Sequence, residues 1–199
     1  MADLEKTRKN LEGRGFRVHR FASGAEAAEF LVQTLHGTSI GIGGSVTIDT
    51  LVVYDRLRGS NEVLWHWKNH APETRERAGK AETYLCSANG VSENGEIVNI
   101  DGFGNRVAGT IYGPERVFLV VGRNKIAPDL TGAIDRTRNI AAPLNARRLN
   151  RHTPCAVGEP RCHDCRSPEK ICGVMTVFFM PPTSIKEFHV ILVDEDLGY

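Results

Sequence analysis

The chain has 199 residues, 25 Lys and Arg against 24 Asp and Glu, a net charge of +1, and five cysteines. One domain of this length buries roughly 70% of its unfolded surface, so it needs no disulfide scaffold. Near-neutral charge excludes a global field toward nucleic acid or acidic lipid, and well-spread apolar runs exclude disorder as the main state.

The opening Met1-Ala2-Asp3-Leu4-Glu5-Lys6 holds no apolar run of the kind a secretory signal needs. The longest apolar stretches, such as 117–121, are one strand long, far short of the ~20 residues of a membrane helix. A cytoplasmic protein without a membrane span is expected. Thiols stay reduced there, so the cysteines read as metal ligands or idle thiols rather than bridges.

Residues 16–21 alternate apolar and polar like a strand. Ser23 and Glu26 form a capping box, and Ala27, Phe30, Leu31, Thr34 and Leu35 follow one helix face. A β-branched run at 38–42 ends in glycines. The pattern predicts one helix over 46–58, with Val46, Leu51, Val53, Tyr54 and Leu57 inward and Gly59 as its stop. Strands follow at 62–67 and 83–87, with a charged helix over 72–79 between them. Alternation puts Trp65 and Trp67 on one packing face.

Asn94-Gly95 is a strong hairpin signal, with 97–100 as the second arm. Residues 107–112 read as a short helical turn. The continuously apolar 117–121 suits a strand buried on both faces of a parallel sheet. A long helix is predicted over 131–150, bent or broken near Pro143, with Arg147, Arg148 and Arg151 at a solvated end. Strands at 174–180 and 189–193 close the chain. His36, His70 and His189 are isolated. There are no repeats and no low-complexity linker. Alternating strands and helices mean an α/β fold: a Rossmann-like three-layer domain with a largely parallel sheet. It spans 1–199 as one domain, with a cysteine-rich loop at 152–173. In such sheets ligands bind beyond the carboxyl ends of the strands.

Four loops can carry chemistry. In Gly41-Ile42-Gly43-Gly44-Ser45-Val46-Thr47 a strand turns into a helix whose free N–H groups suit phosphate or carboxylate. No Lys-Ser/Thr follows, so it is not a Walker loop, and Val46 stands where G-x-G-x-x-G needs its third glycine. The alternative is a tight turn with Ser45 as N-cap. Asp101-Gly102-Phe103-Gly104-Asn105-Arg106 offers donors and acceptors to a ligand, or an Asx turn that satisfies its own backbone. Glu93 in Ser92-Glu93-Asn94-Gly95 is a weak catalytic candidate. A carboxylate can form an acyl intermediate, yet Asn-Gly already explains the local sequence. The fourth is Cys155, Cys162, Cys165 and Cys172, spaced C-x6-C-x2-C-x6-C. Four thiolates can hold structural zinc or an iron–sulfur cluster, or stay unmetallated or form a disulfide. Cys86, on a strand, reads as a small buried hydrophobe.

Together these segments resemble the LUD-domain family, the lactate-utilisation proteins, from about Phe16 to Tyr199. Further carriers are Ser87-Ala88-Asn89, the run 95–106, Val121-Gly122-Arg123-Asn124-Lys125-Ile126, the run 139–146, and the ending 192–199. The resemblance implies a fold like that of ribose-5-phosphate isomerases and CoA transferases. It implies a ligand site at Gly43-Gly44-Ser45 and a link to bacterial oxidation of L-lactate to pyruvate beside iron–sulfur partner subunits. The cysteine cluster resembles that of single-domain members and lacks the tandem ferredoxin-type motifs of the larger subunit. The Glu93 loop resembles the one bearing the catalytic glutamate of CoA transferases, though the rest of such a subunit pair is not visible.

Three readings follow. In the first, Gly43, Gly44, Ser45, Asn89, Asp101, Gly104, Asn105 and Arg106 hold a small hydroxy or keto acid and Lys125 neutralises its carboxylate. The cysteine loop then carries a cluster or zinc. The second is an isomerase or CoA/acyl transferase using Glu93. The third is a non-catalytic scaffold or sensor. A small anionic metabolite and an iron–sulfur subunit are the expected partners, nucleic acid is not, and self-association stays open.

Overall fold

The computed structural model describes residues 2–199. Helix α1 (Leu4–Gly13) leads into β1 (Arg17–Phe21), α2 (Gly24–Thr34), β2 (Ser39–Ile42), α3 (Val46–Thr50) and α4 (Tyr54–Arg58). Next come β3 (Glu62–Trp65), α5 (Thr74–Gly79), β4 (Thr83–Cys86), β5 (Gly90–Ser92), β6 (Ile97–Asp101), α6 (Asn105–Ile111) and β7 (Arg116–Gly122). The chain ends with β8 (Ile126–Ala127), α7 (Leu130–Arg136), a π turn (Thr137–Ala141), α8 (Ala142–Arg148), α9 (Pro154–Val157), β9 (Val174–Phe178) and β10 (Glu187–Val193). No helix among the described residues is long and apolar enough to cross a membrane.

The main sheet has six strands, all parallel, in the order β1-β10-β7-β4-β2-β3. Strand alternation divides the core between its two faces. Leu85, Phe118, Val120, Ile191 and Val193 face Ala27 and Leu31 of α2, Ile48 of α3 and Leu57 of α4. Tyr84, Val117, Leu119, Val190 and Leu192 face Leu4 and Leu11 of α1 and also Val91, Ile97 and Phe178. Those last three belong to a second, four-stranded sheet, β8-β5-β6-β9. The expected α/β layering with a largely parallel sheet is therefore present, with this small sheet sharing one outer layer.

Local structure refines these expectations. The predicted helix 46–58 is two helices, because Val52 takes φ +52° between them and is 76% exposed. A β-branched residue rarely adopts that conformation. The helix predicted over 131–150, bent or broken near Pro143, is broken there as expected, by the π turn that brings Pro143 into the first turn of α8. Proline's missing N–H costs least at a helix start. The strand predicted to reach Trp67 ends at Trp65. Helix α1 escaped sequence reading, although Asp3 accepts from the Lys6 N–H as its cap and Leu4, Thr7 and Leu11 keep helical spacing.

Gly41 in β2 lies against α5, where an added Cβ would collide with the Ala78 carbonyl. Gly41→Ala should cost about 1–3 kcal/mol, as overpacked cores do, lowering the thermal midpoint by roughly 2–4 °C per kcal/mol. His189, expected to be isolated, instead stacks on Phe118 at 4.2 Å and meets His19 at 3.0 Å between ring nitrogens. Burial, first among the causes, holds both imidazoles below their ordinary value. The unfolded chain then binds more protons, so their contribution to stability is complete above about pH 6.5 and is lost as pH falls through the folded values. Melting curves across that window should show the loss, and His189→Gln should shrink it.

Candidate functional site

A cleft of about 780 Å³ opens at the carboxyl ends of the parallel strands, where sheets of this class place ligands. Gly44 to Thr47 follow β2, Trp67 and His70 follow β3, Ser87 to Asn89 follow β4, and Lys125 follows β7. The Asp101–Asn105 loop, α8 and residues 168–171 complete the wall. Six basic side chains line it, Arg75, Arg106, Lys125, Arg148, Arg151 and Lys170, against two acidic ones, Asp101 and Glu169.

Both acids are already occupied. Asp101 Oδ1 accepts the N–H groups of Gly102 (2.7 Å) and Phe103 (3.2 Å), and Oδ2 accepts those of Arg106 (3.0 Å) and Val107 (3.2 Å). Its carboxylate thus satisfies the open start of α6, where Gly104 takes φ +96°. Glu169 accepts the backbone N–H of His152 at 2.7 Å.

Arg106 is committed as well. Its guanidinium donates to Asn89 Oδ1 (2.7 Å), Asn99 Oδ1 (2.9 Å), the Ser87 carbonyl (3.3 Å) and the Ile100 carbonyl. Asn89 in turn accepts the Ile100 N–H at 2.9 Å. This network fastens the end of β4 to β6. Gly43 makes room for it, since a Cβ there would stand 2.9 Å from Tyr84 Oη and 3.2 Å from Arg106 Cγ.

Lys125 is 2% exposed, yet it lines the cleft. Its amine donates to Thr47 Oγ1 at 2.7 Å and Ser87 Oγ at 2.8 Å, and it forms no ion pair among the described residues. Burial chiefly, then the charges of Arg136 and Arg106, push its pKa well below the usual lysine range, and Cys86 opposes them. Arg136, also buried, is lowered to about 10. Cys86 is fully buried, as expected, and burial raises its thiol to about 12.

Ser45 serves as the N-cap of α3, accepting from Ile48 N at 3.2 Å, and lines the cleft at the same time. Gly44 admits Trp67, whose indole would stand 3.2 Å from a Cβ. Trp65 packs in the core at 5.6 Å from Trp67, while Trp67 reaches the cleft beneath the Arg148 guanidinium at 4.6 Å. Arg75 lies over Phe103 at 4.2 Å. Arg148 and Arg151 are exposed at and just beyond the end of α8, as expected of a solvated helix end, and also stand in the cleft wall. Phe103 comes with the loop the sequence singled out, whereas Trp67, Arg75, Lys170 and Tyr199 were not foreseen as cleft residues. Trp67 was visible as an aromatic, but nothing in the spacing of the other three marked them.

Glu93 is not on this lining. Its carboxylate accepts the Asp3 N–H at 2.9 Å and pairs with Lys6 at 3.1 Å. The Asp3 N–H, ahead of Lys6, holds its pKa below the usual carboxylate range. The hairpin Asn94-Gly95 between β5 and β6 forms as expected, with Gly95 at φ +90°.

All five thiols are free. Cys155, Cys162, Cys165 and Cys172 share one patch, and Cys172 is pushed up by burial and by its three neighbours, against Lys170. Cys162 Sγ accepts from Arg138 at 3.3 Å and from Asp164 N at 3.4 Å. Among the described residues no three His, Cys, Asp or Glu side chains converge on one point as metal ligands must. The arrangement shows no site for the expected zinc or iron–sulfur cluster among the described residues. The segment between Cys165 and Cys172 instead packs on the Asp101 loop, where a Cβ on Gly102 would stand 2.7 Å from Ile171 Cα.

Fold and cleft together define an α/β domain with an electropositive cleft at the carboxyl edge of a parallel sheet. The chain belongs to the LUD-domain family, whose model matches residues 4–193. Membership relates it to lactate utilisation in general. The crystal structure of a DUF162 family protein from Deinococcus radiodurans, at 1.70 Å resolution, matches with a TM-score of 0.55 and 14% identity. The match covers 96% of this chain and 95% of that one, and at that identity it speaks for the fold. No curated protein matches the chain.

Asp101 is the most heavily used acceptor of the site. Asp101→Ala should cost about 1–2 kcal/mol, the range of a lost helix cap, read as a lower urea midpoint with an unchanged slope.

Proposed function

We propose that this protein binds a small hydroxy or keto carboxylate in the cleft and serves the oxidation of L-lactate, or a related hydroxy acid, to pyruvate. The observation that carries this reading is the excess of basic side chains in the cleft, where both acids are spent on backbone N–H groups. Arg75, Arg148 and Arg151 supply positive charge at the wall, and Lys125 supplies a donor at the floor. Trp67, Phe103 and Tyr199 give the wall apolar surface that lowers the local dielectric and strengthens attraction for a carboxylate. Oxidation releases two electrons, for which an iron–sulfur partner subunit is the acceptor in this reading.

Lactate and pyruvate should each raise the thermal midpoint in proportion to the logarithm of their concentration, while acetate, lacking the 2-oxygen, should do less. Arg148→Glu should weaken pyruvate binding by about tenfold, the equivalent of 1.4 kcal/mol, in a calorimetric titration. Stabilisation by inorganic phosphate with none by either acid would turn the reading toward an enzyme of phosphorylated ligands.

A further inference from the structure

Lys125 is anomalous among the lysines of this chain. It is buried at the end of a central strand, it lines the cleft, and among the described residues it forms no ion pair and donates only to hydroxyls. Its two polar neighbours are hydroxyls, and both have a carbonyl to donate to. Thr47 Oγ1 lies 3.2 Å from the Leu197 carbonyl, and Ser87 Oγ lies 3.2 Å from the Ala88 carbonyl. Each hydroxyl proton is thus directed at a carbonyl, and each hydroxyl oxygen is left to accept from the amine. Two N–H bonds are used in this way.

A charged ammonium would carry a third N–H, for which the described residues offer no acceptor. A neutral amine has a lone pair in that place. The charged groups bearing on it are Arg106 and Arg136, both cations, with the Cys86 thiol on the neighbouring strand. Desolvation and adjacent cations are the two conditions that make a lysine a nucleophile near neutral pH.

We infer that Lys125 is a catalytic amine that captures the carbonyl of a 2-oxo acid as an imine in the cleft. The inference rests on the proposed reading of the cleft as a site for small hydroxy or keto acids. A 2-oxo acid presents a carboxylate to the basic lining and an electrophilic carbon to the amine. The amine lone pair forms a C–N bond as the carbonyl π pair moves to oxygen. That oxygen gains a proton from nitrogen, giving a carbinolamine. A second proton, from solvent, lets the oxygen leave as water while the nitrogen pair forms C=N. One amine, one keto acid and one proton therefore yield one iminium and one water, with no change of oxidation state. Ser87 and Thr47 orient the amine by accepting its two N–H bonds.

The test treats the full chain with pyruvate and cyanoborohydride near neutral pH and maps the reduced adduct by peptide mass spectrometry. Calorimetric titration of pyruvate runs in parallel. The expected result is an adduct concentrated on Lys125 and lost in Lys125→Arg. Pyruvate bound by calorimetry with no adduct on Lys125, or with adducts spread evenly over surface lysines, overturns the imine and leaves the cleft reading standing. No pyruvate binding and no adduct overturns both. Peptide mapping of the unaltered chain decides the matter even if Lys125→Arg fails to fold.

Discussion

The site depends on one constraint: every strand of the main sheet runs the same way. Parallel alignment sends β2, β3, β4 and β7 out at one edge, so residues far apart in sequence meet there. Thr47, Ser87 and Lys125 touch because three strand ends adjoin. Crossover helices cover the sheet faces but leave the edge open, and the turns that fill it are short. The amine of Lys125 then links the start of α3, the end of β4 and, through Thr47, the carbonyl of Leu197 near the C-terminus.

The second sheet adds what a bare α/β edge lacks. Its β6 carries Asn99 and Ile100 to the edge, where Arg106 joins them to Ser87 and Asn89. A guanidinium with four acceptors is well satisfied, and such a network tolerates little displacement of any member. It also explains why a loop dense in functional residue types is so largely structural. Asp101 and Arg106 mainly fix the floor, and the cations free to meet a ligand lie on other elements.

Much of the fold was legible because burial imposes period two on strands and period 3.6 on helices. Val117 to Val121 reads as a doubly buried strand and is one, fully enclosed at the centre of the sheet. What escaped was set by local backbone chemistry: Val52 in a left-handed conformation, and a π turn ahead of Pro143. The floor of the cleft was legible because its glycines and turn residues carry spacing signals. Its wall was not, since Arg75, Lys170 and Tyr199 come together through tertiary packing that leaves no period in the sequence. The cysteine spacing brings Cys155, Cys162, Cys165 and Cys172 into one patch, but spacing says nothing of the direction each sulfur takes, and Cys162 accepts from Arg138.

The polarity of the cleft follows from the same accounting of partners. Buried or half-buried cations are costly unless paired, and here the acids that could pair with them are spent on backbone N–H groups. Half-buried Arg75 finds partial relief over Phe103, and exposed Arg148 lies over Trp67, contacts that leave both charges in place. Lys125 has no such face, and its burial and the adjacent cations push it toward the neutral amine. The two situations leave one cleft with fixed positive charge at its wall and an amine of lowered basicity at its floor. A ligand that is anionic at one end and electrophilic at the other satisfies both, whereas a plain anion satisfies only the wall.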